Sequence, residues 1–131
     1  MHDQYNRKID YLRISLTDRC NLHCRYCQPE VSEHVTHNEI LRYEELLRIC
    51  RAALQLGIRK FKITGGEPLL RKGCSDFIAN LKQLEGAEQV TLTTNGTLLS
   101  NQLPALIAAG VDSINVSLDT LDAAYYTELT G

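Results

Sequence analysis

Apolar and polar residues alternate through Tyr11-Leu12-Arg13-Ile14-Ser15-Leu16-Thr17, the two-residue period of a half-buried strand. The rhythm then changes to 3.6. Between Tyr43 and Leu56, the side chains Leu46, Leu47, Cys50, Ala53 and Leu54 share one face, while Glu44, Glu45, Arg48, Arg51 and Gln55 fall mostly elsewhere. That spacing predicts an amphipathic helix closed by Gly57. A strand over Lys60–Thr64 follows, and then a helix over Ser75–Leu84 with Phe77, Ile78, Leu81 and Leu84 apolar and Gly86 at its end. Val90–Thr94 reads as a third strand ending in the turn dipeptide Asn95-Gly96. A third helix runs from Leu98 or Leu103 to Ala109 and stops at Gly110, with Pro104 tolerable only near its first turn. Ser113–Leu118 is the fourth strand, and Asp119 or Asp122 caps a helix over Ala123–Leu129.

Strand and helix thus alternate four times with no hairpin signal between strands, the pattern of an α/β fold whose parallel strands are joined by helical crossovers. Every unusual segment comes directly after a strand. A cysteine-rich loop follows Thr17, Gly65-Gly66 follows Thr64, Asn95-Gly96 follows Thr94, and Ser117 ends the fourth strand. In (β/α) barrels those carboxyl ends carry the functional groups. Residues 1–8 are polar and read as a flexible N-terminal arm.

The first of these loops holds the chemistry. Cys20, Cys24 and Cys27 stand in a C-x3-C-x2-C frame, so three thiolates can converge from one irregular segment. A cube of four irons normally takes four thiolates, and three leave one iron free to bind something else. A zinc site completed by His23, His34 or Cys74 is the alternative, although zinc motifs usually repeat C-x2-C pairs. A redox pair of Cys24 and Cys27 leaves Cys20 unexplained, and five cysteines make an odd number for a disulfide framework. Cys50 falls on the apolar face of its helix and reads as a core residue. Cys74, near a helix start where the dipole can lower a thiol pKa, has no base or resolving cysteine beside it and reads as structural.

Charge removes some partners. With 14 basic and 16 acidic residues, the net charge is −2, and no basic stripe interleaved with aromatics points to nucleic acid. No apolar run approaches the ~20 residues of a membrane span, and Met1-His2-Asp3-Gln4 opens no secretory signal. The expected compartment is the cytoplasm, which keeps thiols reduced. Arg13, on the Ser15 side of its strand and opposite Leu12 and Ile14, reads by itself as a solvated side chain.

Cys20-x3-Cys24-x-Tyr26-Cys27, followed in order by Gly65-Gly66-Glu67-Pro68, resembles the two landmark motifs of the radical SAM superfamily. The resemblance implies a 4Fe-4S cluster held by Cys20, Cys24 and Cys27, with S-adenosyl-L-methionine chelated at the open iron. It also implies a partial TIM-type (β/α) barrel, of which residues 9–131 supply about four βα units of the N-terminal part, leaving the core truncated at its C-terminal side. Gly131 is on this reading the end of a fragment.

Within the superfamily, Tyr11–Leu22, Ile63–Arg71, Leu92–Gly96 and Ile114–Asp119 are similar to blocks of the GTP-cyclising family of molybdenum cofactor (molybdopterin) biosynthesis. That resemblance implies contacts to S-adenosylmethionine from Tyr26, Gly66 and Ser117, and to GTP from Arg13, Lys62 and Thr93. It implies a lyase that converts GTP to (8S)-3',8-cyclo-7,8-dihydroguanosine 5'-triphosphate through a 5'-deoxyadenosyl radical. An electron donor such as flavodoxin or ferredoxin is implied, with a homodimer admissible and a second 4Fe-4S cluster in a C-terminal region not included here. The 131-residue chain alone is expected to be inactive. Two positions depart from the family, which generally has arginine at Lys62 and methionine at Gln28; lysine keeps the charge and loses the planar fork. Another radical SAM enzyme, for example a peptide-modifying one, and an inactive iron–sulfur-binding fragment are the alternatives.

Overall fold

The computed structural model describes residues 4–27 and 39–131. Gln28 and His34 lie outside the described residues.

Four strands form one parallel sheet in the order β1-β2-β3-β4, namely β1 (Tyr11–Ser15), β2 (Lys60–Thr64), β3 (Gln89–Thr94) and β4 (Ser113–Val116). The helices α1 (Tyr43–Gln55), α2 (Cys74–Lys82) and α3 (Leu99–Ala108) connect them, and α4 (Ala123–Thr130) follows β4. Alternation sorts the two faces. Ile14, Phe61, Ile63, Val90 and Leu92 are buried with Leu46, Cys50, Leu54, Phe77, Ile78, Leu81 and Leu106 of the helices. Truncating a buried aromatic such as Phe61 costs about 3–5 kcal/mol, so this layer holds the sheet flat against its helices. The opposite face carries Arg13, Lys62, Thr91 and Thr93.

Helix ends follow local chemistry. The Arg42 amide donates to Glu45 Oε2 at 2.7 Å at the start of α1. At its end Gly57 takes a φ of 94°, its amide donates to Leu54 O, and Ile58 N–H reaches Ala53 O. Gly110 closes α3 in the same way, and both are Schellman turns. Asp122, not Asp119, caps α4 by accepting from Tyr125 N–H at 2.8 Å.

Three expectations are corrected and one element is added. The strand expected over Tyr11–Thr17 keeps regular register only to Ser15, and beyond it single backbone bonds from Leu16 N–H to Thr64 O and from Gly66 N–H to Thr17 O lead into the turn. The fourth strand likewise stops at Val116, where β3 reaches Thr94. Pro104 sits in the second turn of α3, not its first; it is exposed, and so is Ser100, whose carbonyl loses its helical partner and faces water. A 3-10 turn over Pro68–Leu70, absent from the sequence reading, is capped by Glu67, which accepts from Leu69 N–H.

Candidate functional site

The loop after β1 lies across the carboxyl ends of the strands, tied down element by element. Leu16 N–H continues the β1–β2 ladder to Thr64 O at 2.8 Å. Gly66 N–H then donates to Thr17 O at 2.6 Å, and Glu67 N–H to Arg19 O at 2.7 Å. Further along, Asn21 Nδ2 donates to Thr97 Oγ1 beyond β3, and Tyr26 Oη donates to Asp119 beyond β4 at 2.5 Å. The amides of His23 and Arg25 reach Thr130 O and Leu129 O at the end of α4, and Arg25 pairs with Glu128 at 3.0 Å.

Gly65-Gly66 explains the tight fit. Neither glycine has a positive φ, so no left-handed turn is made here. The physical need is space. A Cβ on Gly65 would stand 2.8 Å from Thr17 O, and one on Gly66 would be 2.7 Å from Asp18 O. Side chains at either position would lift the cysteine loop off the sheet.

Under this loop is a cavity of about 290 Å³ lined by Ser15, Thr17, Asp18, Leu22, Gly65 and Gly66 together with Cys20, Cys24 and Cys27. All five thiols of the chain are free; Cys20 and Cys24 are half-buried, and Cys27 is exposed. Among the described residues, no three His, Cys, Asp or Glu side chains close on the position of a single ion. A four-iron cube takes one thiolate at each liganded iron corner, and three cysteines lining one cavity fit that group. Cys74, nominated as a fourth zinc ligand, is instead buried in the core. Burial raises the Cys74 thiol to about 12 and the Cys50 thiol to about 11, so neither offers a thiolate at neutral pH. The lowering considered for Cys74 at its helix start is not found, since desolvation raises the thiol instead.

The remaining predicted residues take up three positions. Arg13 and Lys62 are register partners on adjacent strands, on the polar face that Ser15 and Thr17 continue into the cavity. The Arg13 side chain is exposed and its Nε donates to Thr64 Oγ1 at 3.3 Å. Two residues of strand rise about 7 Å, which sets Arg13 one pleat below the cavity wall. Thr93 lies on the same face of β3, its Oγ1 buried without a hydrogen-bond partner. Ser117 is exposed just past β4, held through its backbone to Thr94 O, and Tyr26 is an exposed side chain. Neither lines the cavity. The Asp119 carboxylate accepting its hydroxyl proton raises the Tyr26 pKa above the usual phenol range.

Sequence reasoning missed the carboxylate of Glu67. It is buried, accepting from Leu69 N–H at 3.0 Å, Thr94 Oγ1 at 2.7 Å and Asn95 N–H at 2.7 Å, and so ties the β2 turn to the end of β3. Reading Asn95-Gly96 as a turn dipeptide also passed over the Asn95 amide, which contacts Asn21. The available signal was a carboxylate wedged between Gly-Gly and proline, a place with little room to reach solvent.

Residues 14–131 match the Radical SAM superfamily. The GTP 3',8-cyclase of Geobacter sulfurreducens is 51% identical over 129 residues, which cover 98% of this chain and 40% of that protein. That of Thermodesulfovibrio yellowstonii is 51% identical over 132 residues, with 99% and 41% covered. The chain therefore spans about two fifths of the length of these curated relatives. In structure it resembles SuiB of Streptococcus suis bound to precursor peptide SuiA, with a TM-score of 0.73 and 25% identity over 92% of this chain and 27% of that one. BtrN in complex with AdoMet and 2-DOIA has the same fold, with a TM-score of 0.61 and 18% identity over 94% and 55%. The family match starts within β1 and takes in the whole cysteine loop and every later element of the sheet, and by it this chain belongs to the radical SAM superfamily.

Proposed function

We propose that this chain is the N-terminal portion of a GTP 3',8-cyclase of molybdenum cofactor biosynthesis, with residues 9–131 in the radical SAM core and residues 1–8 as an arm. The observation that carries the reading is the single cavity that Cys20, Cys24 and Cys27 share with the Gly65-Gly66 turn at the carboxyl ends of the strands. On this reading the three cysteines hold the 4Fe-4S cluster. A cluster held there would supply one-electron chemistry, passing an electron from an external donor to S-adenosylmethionine so that methionine and a hydrogen-abstracting 5'-deoxyadenosyl radical would result.

The chain's own residues do the binding. Tyr26, Gly66 and Ser117 contact S-adenosylmethionine from the ends of three different strands. Side by side in register, Arg13 and Lys62 present two positive charges to the GTP triphosphate; arginine offers paired donors, while lysine acts as a point charge. Thr93 offers a hydroxyl whose partner is the nucleotide. The second cluster, which holds the guanine, belongs to the part of the relatives beyond this match. An electron donor such as flavodoxin or ferredoxin, a cytoplasmic setting and a homodimer complete the proposal. The identity to the curated cyclases, twice that to SuiB, favours the cyclase over a peptide-modifying enzyme.

The test is anaerobic reconstitution with iron and sulfide followed by electron paramagnetic resonance of the reduced protein. A cluster signal that changes on adding S-adenosylmethionine is expected. A signal indifferent to it would refute the cofactor assignment, and a full-length protein that consumes S-adenosylmethionine without cyclising GTP would refute the substrate.

A further inference from the structure

The side chain of Asn95 is oriented by its own hydrogen bonds. Its Oδ1 accepts from Thr97 N–H at 3.0 Å and from Thr97 Oγ1 at 2.7 Å. Exchanging the oxygen for the amide nitrogen would set two N–H donors against each other, so the network decides which end faces which way. The backbone N–H is fixed as well, donating to Glu67 Oε2. Nδ2 is thereby aimed at the cysteine loop, donating to Asn21 Oδ1 at 3.0 Å and to Cys20 Sγ at 3.7 Å. Leu22 N–H reaches the same sulfur at 3.4 Å, so two N–H donors converge on Cys20.

We infer that Asn95 is a positioning residue for the cluster, its side-chain amide steering Cys20 Sγ and raising the reduction potential of the group that Cys20 ligates. The inference rests on the cysteine assignment above. Adding one electron from an external reductant increases the negative charge on the cluster and its sulfurs. A donor pointed at a ligating sulfur stabilises the reduced state more than the oxidised one, and hydrogen bonds to sulfur are one of the means by which proteins set such potentials.

Asn95→Asp isolates the effect, since aspartate keeps the oxygen that Thr97 needs and replaces the donor facing Cys20 with an acceptor. Thr97→Val is the control, loosening the same turn while leaving the amide aimed at sulfur. The measurement is the midpoint potential of the S-adenosylmethionine-sensitive cluster signal in the full-length reconstituted protein, read by redox titration under electron paramagnetic resonance. Asn95→Asp is expected to shift the midpoint to lower potential, and Thr97→Val to leave it near that of the wild type. A wild-type midpoint in Asn95→Asp with full iron content would overturn the inference. Should Asn95→Asp take up no iron, wild-type protein carrying 15N at its asparagine side chains decides: a 15N hyperfine coupling to the reduced cluster is expected, and its absence would equally overturn it. A wild-type protein lacking any S-adenosylmethionine-sensitive signal would sink the underlying cofactor reading instead.

Discussion

Replacing Gly66 with alanine tests whether the Gly-Gly turn clamps the cysteine loop. The added Cβ would fall 2.5 Å from the Arg19 carbonyl carbon, 2.7 Å from Asp18 O and closer still to Arg19 O. All are backbone atoms, so no side chain can swing aside and the loop itself must move. Its movement strains the bonds from Gly66 N–H to Thr17 O and from Glu67 N–H to Arg19 O. At about 1 kcal/mol net for each backbone bond and about 1–3 kcal/mol for overpacking, the loss comes to about 3–5 kcal/mol. Gly65→Ala, whose nearest contact is 2.8 Å, should lose less. Because neither glycine has a positive φ, backbone strain contributes nothing to the difference. Urea unfolding of wild type and both variants measures it, with iron content per chain after reconstitution as the second readout. A Gly66→Ala protein within about 1 kcal/mol of wild type, loading iron normally, would refute the clamp.

Asp112 supports a pH prediction. Burial alone would push its carboxyl up, but hydrogen bonds from Lys82 and Val90 N–H and the Lys82 charge outweigh that and hold it below the usual carboxylate range. A depressed folded pKa adds stability that is complete above the ordinary value of about 3.9 and is lost as pH falls through the folded one. The stability gap between wild type and Asp112→Asn should therefore narrow in acid, and a gap equal at pH 7 and at pH 2–3 would count against the ion pair. In cluster-free native protein, iodoacetamide should modify Cys20, Cys24 and Cys27 and spare Cys50 and Cys74 until denaturant is added; mass spectrometry of the labelled peptides reads the pattern. Arg13→Ala should weaken GTP binding to the full-length protein by roughly tenfold to a hundredfold, the loss of about 1.5–3 kcal/mol for a charged hydrogen bond, and calorimetry showing unchanged affinity would move the triphosphate elsewhere.

The sheet was legible where local pattern and burial agree. Lys60-Phe61-Lys62-Ile63-Thr64 alternates cleanly and β2 has those same bounds, while α1 begins at the expected Tyr43 and buries Leu46, Cys50, Ala53 and Leu54 as its spacing requires. Legibility failed where a distant partner decides. Leu16 and Thr17 continue the strand pattern and stay bonded to Thr64 and Gly66, yet the regular register ends at Ser15, where the partner strand gives way to the Gly-Gly turn. The 3-10 turn exists because the Glu67 side chain caps it, and neither Glu67 burial nor the Asn95 contact to Cys20 leaves a periodic trace. At the site, the motif named the three cysteines; that Tyr26 is held by Asp119 depends on residues brought together only by the completed sheet.

The loop's long ties bear on when it can form during synthesis. Asn21 to Thr97, Tyr26 to Asp119 and Arg25 to Glu128 bridge separations of 76, 93 and 103 residues. Contacts so distant in sequence come late, after the local βα units have condensed. The three thiols leave the ribosome early, and the residues that seat their loop follow roughly a hundred positions later, an interval of about 5–20 s at typical elongation rates. Throughout that interval the cysteines are unhoused nucleophiles, open to oxidation and to stray metal; on the cysteine assignment proposed above, delivery of the inorganic group would follow completion of α4.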